Sequence, residues 1–108
     1  MNLIKKTVLT LSMALSLGAS AVAMAEEPAA RAISHIEQAI AEIVKHDFNA
    51  AYIHEKAARG ASDEIVGHEE AVKQGLASLI KAQIIGKSAD EAKATAELNK
   101  AIGFYKTI

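Results

Sequence analysis

Proline occurs once in this 108-residue chain, at Pro28, and beyond it the sequence is built mostly of helix-favouring residues: Ala, Glu, Lys, Ile, Leu and Gln. β-branched residues never alternate with polar ones over the length of a strand. An all-α domain is therefore expected. Pro28 falls in the first turn of the first helix, where its missing amide hydrogen costs nothing.

The segment before it has a different character. Lys5 and Lys6 form a positive flank, Thr7 to Gly18 a short apolar stretch, and Ala23-Met24-Ala25 places small residues where a signal peptidase cuts. Residues 1–25 are expected to be a cleaved signal peptide. An uncleaved anchor is the alternative, although a spanning helix wants about 20 uninterrupted apolar residues. Residues 26–108 then make one helical domain in the periplasm or outside the cell, with no stable membrane association. That domain has ten Lys and Arg against thirteen Asp and Glu, a net charge of −3, and its cations are interspersed with acids. No basic patch is left to hold a nucleic acid. All three methionines lie in the leader and there is no cysteine, so the domain has no sulfur ligand and no disulfide.

Ile33, Ile36, Ile40, Ile43 and Val44 recur at intervals of three and four, predicting a helix over residues 28–45 with one apolar face. His46 to Asn49 is a break, with Asp47 or Asn49 able to cap a second helix carrying Tyr52, Ile53, Ala57 and Ala58. Gly60 is expected to end that helix and Asp63 to begin the third; continuation to Gly67 is the alternative. The third helix is expected to turn Ile65, Val72, Leu76, Leu79, Ile80 and Ile84 inward. Ser88 to Glu91 has the form of a capping box opening a fourth, with Thr95, Leu98, Ile102 and Tyr105 inside.

At an offset of 40 residues Ile36, Ile40 and Val44 align with Leu76, Ile80 and Ile84, and the His46 turn with Gly86 to Ala89. Chance alignment in an Ala-rich chain is the rival account. Two helical hairpins of this kind predict an up-and-down four-helix bundle, since short connections make neighbouring helices antiparallel.

Four histidines remain to be placed: His35, His46, His54 and His68. The phrases His35-Ile36-Glu37-Gln38-Ala39-Ile40 and Ile53-His54-Glu55-Lys56-Ala57, with weaker echoes in Val66-Gly67-His68 and Lys93 to Glu97, resemble the small periplasmic metal-binding proteins, whose His-rich hairpins form a four-helix bundle. The resemblance implies binding of a divalent transition metal, copper foremost, without catalysis. This chain departs from that pattern: no two histidines stand at i, i+3 or i, i+4.

Without thiolate or thioether, imidazole and carboxylate suit Cu(II), Zn or Ni. His46 and His54 flank the first turn with Asp47 between them, and these three are the first candidates for a metal site, with His35 and His68 secondary. His35 and His46 lie three turns apart on one helix, about 16 Å along its axis, too far to share an ion. Plain structural roles compete with this reading. His46 suits the exposed carbonyls of a helix end, His35 and His68 suit a surface, and His54 suits a half-buried position with its nitrogen satisfied.

Enzyme chemistry lacks parts. No Gly-rich phosphate loop follows a strand, Ser34 and Ser78 have no defined acid and base partners, and Glu64 to His68 is one residue too long for the Glu-x-x-His of a di-iron bundle. A non-enzymatic, metal-binding exported bundle is expected. An exported interaction or structural module with no metal site, its protein partner unspecified, is the alternative.

Overall fold

The computed structural model describes residues 27–108, so the expected leader lies outside the described residues. Four helices follow one another: α1 (Pro28–Val44), α2 (Phe48–Ser62), α3 (Glu69–Gly86) and α4 (Glu91–Lys106). Among the described residues there is no strand. α1 packs most closely on α2 and α3 on α4; α1 also meets α4 and α2 meets α3, which closes the ring of a four-helix bundle.

α1 follows its sequence pattern closely. Pro28 starts it, and Ala32, Ile36, Ala39 and Ile43 bury one stripe. Val44, expected inside, is exposed. The helix stops because His46 takes the left-handed conformation at φ 63°. The His46 amide then bonds Ile43 O at 2.8 Å and the Asp47 amide bonds Glu42 O at 2.9 Å, satisfying carbonyls the helix end leaves open. Asp47 caps α2 at once, accepting from the Ala50 amide at 2.9 Å.

α2 does not break at Gly60. It continues to Ser62, and α3 begins only at Glu69, after Gly67 and His68 have both turned left-handed. Neither boundary expected for this connection holds. Gly60 is tolerated because it faces solvent with nothing within 4 Å of where a Cβ would lie. α4 opens two residues later than a Ser88 cap would place it: Asp90 is the N-cap, accepting from the Lys93 amide at 3.1 Å.

The core consists largely of small residues. α2 buries Ala51, Glu55, Ala58, Ala61 and Ser62, and its Tyr52 and Ile53 are exposed. α3 buries Gly75, Ser78, Leu79, Ala82 and Gln83. Ile80 and Ile84, expected inward, are 40% and 60% exposed. α4 buries Ala94, Leu98, Ala101 and Tyr105, so Thr95 and Ile102 are only flanking.

These assignments move the internal repeat from an offset of 40 residues to 43. At 43, the buried positions Ala32, Ile36, Ala39, Ala51, Glu55, Ala58 and Ser62 fall on Gly75, Leu79, Ala82, Ala94, Leu98, Ala101 and Tyr105, all buried. The left-handed His46 falls on left-handed Ala89, and the capping Asp47 on the capping Asp90. The 40-residue register matched large apolar side chains and missed the alanines that form the seam.

Candidate functional site

α1 and α2 run side by side, and this brings two histidines from different helices together. The rings of His35 and His54 face each other with centroids 6.3 Å apart and planes inclined by 25°. Both residues are half-buried. The seam beside them is lined with alanine (Ala32, Ala39, Ala51, Ala58), which lets the helix axes approach and sets the rings at this spacing.

The other candidates are engaged elsewhere. His46, exposed at the end of α1, directs Nδ1 at Glu91 Oε2 in the first turn of α4, which joins the first connection to α4. Asp47 spends its carboxylate on the α2 cap. His68 is exposed at the N-cap of α3, without a capping hydrogen bond from its side chain. Among the described residues no group of three or more His, Cys, Asp or Glu gathers as one ion would need. His46, Asp47 and His54 therefore do not form a three-ligand cluster, and the one histidine pair is His35 with His54.

A second polar feature lies between α2 and α3. Glu55 is 3% exposed, and burial pushes its carboxyl up to about 7. It lines a cleft of about 130 Å³ with Phe48, Asn49, Tyr52, Gln83, Gly86 and Lys87. Arg59 Nη1 donates to Gln83 Oε1 at 2.9 Å, which leaves the buried Gln83 Nε2 as a donor with no partner. Sequence pattern alone passed over Glu55, since helices of this composition carry Glu everywhere. The signal was available at the 43-residue offset, where Glu55 occupies the position of Leu98.

Elsewhere the electrostatics are structural. Arg31 Nη2 donates to Glu64 Oε1 at 2.6 Å, tying the start of α1 to the chain after α2, and this hydrogen bond and charge hold the Glu64 carboxyl below the usual range. Tyr105 donates from its hydroxyl to Ser62 Oγ at 2.7 Å inside the core, and burial raises its phenol above the ordinary value. Among the described residues no helix is long and apolar enough to cross a membrane. No protein-family model matches the chain, and no curated protein matches it.

Proposed function

We propose that this chain is an exported up-and-down bundle of two helical hairpins, released from residues 1–25 by cleavage, that binds one divalent transition-metal ion for buffering or sequestration. Copper is the first choice, from the resemblance to small periplasmic metal-binding proteins. Zn and Ni suit the same donors. The role is binding without catalysis.

The observation that supports this reading is the approach of His35 and His54. Each nitrogen on a shared ion would sit about 2.0 to 2.1 Å from it, which puts two ring centres roughly 6 Å apart when the rings lie on opposite sides. The 6.3 Å between centroids is of that order. The rings are stacked face to face, so sharing an ion requires each to turn about its terminal torsion until a nitrogen faces the gap. Two imidazoles leave the remaining positions to water, which suits a buffer that must release its ion.

The test is the melting temperature of the protein with Cu(II), Zn or Ni. A ligand at 100 times its dissociation constant adds about 2.7 kcal/mol, several degrees for a domain of this size. Cu(II) is expected to raise the midpoint near pH 7.5 and to lose the effect near pH 5, because coordination needs the neutral ring. His54→Ala should abolish the gain, and His46→Ala should keep it. The reverse result would move the site to the His46 and Glu91 pair. No gain with any of the three ions would leave the exported interaction module as the better account.

A further inference from the structure

α3 carries an apolar ridge that the bundle does not use up. Val72, Leu76, Ile80 and Ile84 are four residues apart, so they form one row on the helix surface. Each step of four advances about 40° around a helix of 3.6 residues per turn. The row therefore leaves the core side as it ascends: Val72 and Leu76 are half-buried, Ile80 is 40% exposed and Ile84 60%. Beside its first half lies a groove of about 540 Å³, walled by Ile65, Val72, Leu76 and Ile80, with Glu69 and Lys73 also on its lining. Ile84 stands outside that groove as a free knob.

Knob and groove are arranged about one point. Position 78 is the midpoint of Val72 and Ile84, of Leu76 and Ile80, and of Glu69 and Lys87. Glu69 begins the helix and Lys87 is its C-cap, so opposite charges bracket the ridge at equal distances from its centre. A twofold contact requires this property, since one patch must complement itself in reverse order.

We propose that the exposed face of α3 is a homodimer interface, on which a second copy of this chain lies antiparallel about position 78. Ile84 of the partner subunit enters the groove beside Val72, and Ile80 of the partner subunit packs on Leu76. Glu69 comes opposite Lys87 of the partner subunit, and the reciprocal pair forms at the other end. A parallel arrangement would set Glu69 against Glu69 of the partner subunit and Lys87 against Lys87 of the partner subunit, so the charges choose the antiparallel one.

Sedimentation equilibrium on the protein as its host cell processes it reads this directly. Wild type is expected at twice the monomer mass, dissociating on dilution. Ile84→Glu should raise the dissociation constant at least tenfold with unchanged helical circular dichroism, since the residue it replaces is exposed. Ile53→Glu, equally exposed but on α2, should leave the dimer intact. Glu69→Lys should weaken the dimer, and Glu69→Lys with Lys87→Glu in the same chain should restore it, because each copy then carries both reversals. A monomer at every concentration up to the millimolar range would overturn the proposal. So would a dimer that survives Ile84→Glu, which would mean that another face is used.

Discussion

Glu55 ties the stability of this molecule to pH through the burial of its carboxyl. Its folded carboxyl titrates at about 7 against an ordinary value of 4.5, with burial as the cause. A carboxyl raised on folding binds its proton more tightly in the native state. Its favourable contribution is complete below pH 4.5 and is lost as pH rises through 7. The shift corresponds to about 3 kcal/mol at most. Glu64, held low by Arg31, acts in the opposite sense at more acid pH. Urea midpoints measured from pH 4.5 to 8 should therefore fall in the wild type and fall much less in Glu55→Gln, which keeps the shape of the side chain and cannot ionise. Parallel curves for the two proteins would show that the carboxyl is solvated and that the cleft beside Gln83 is open to water.

At the scale of the helices, two glycines with the same propensity penalty should respond in opposite directions. Gly60 sits in α2 with open space around it, so Gly60→Ala should stabilise by up to about 1 kcal/mol in chemical denaturation. Gly75 sits in α3 against an aromatic ring, where a Cβ would lie 2.6 Å from Tyr105 Cζ. That ring is buried and its hydroxyl is tied to Ser62, so it has nowhere to retreat. Gly75→Ala should cost about 1 to 3 kcal/mol despite the better propensity. The same contrast explains what pattern alone could resolve. α1 was legible to within a residue at its C-terminal end because Pro28 and large isoleucines mark one face. The inward face of α3 was misread because hydrophobicity favours Ile80 and Ile84 over Ser78, Ala82 and Gln83, and close helix approach selected the smaller set. Of the candidate site, His54 was named and so was His35, but their pairing depends on how α1 and α2 pack, which spacing along the chain does not encode. The true N-cap at Asp90 was hidden behind an equally good motif at Ser88.

Across the whole molecule, the α1–α2 and α3–α4 pairs are joined through Tyr105. Its ring fills the space left by Gly75, and its hydroxyl reaches across to Ser62 of α2, the residue 43 positions earlier. Tyr105→Phe strands a buried serine oxygen and Ser62→Ala strands a buried phenol. A double-mutant cycle on thermal or urea unfolding should give a coupling of about 1 kcal/mol. Additive effects would mean that a trapped water replaces the direct bond.

Most of the seam between helices is made of methyl groups: Ala32, Ala39, Ala58, Ala82, Ala94 and Ala101 have no accessible surface. Such a seam has nowhere to put anything added. Substitution should be costly in both directions there: glycine forfeits about 1 kcal/mol of helix propensity together with a buried methyl, and an inserted methylene at any of those six places would act as a wedge that drives whole rods apart.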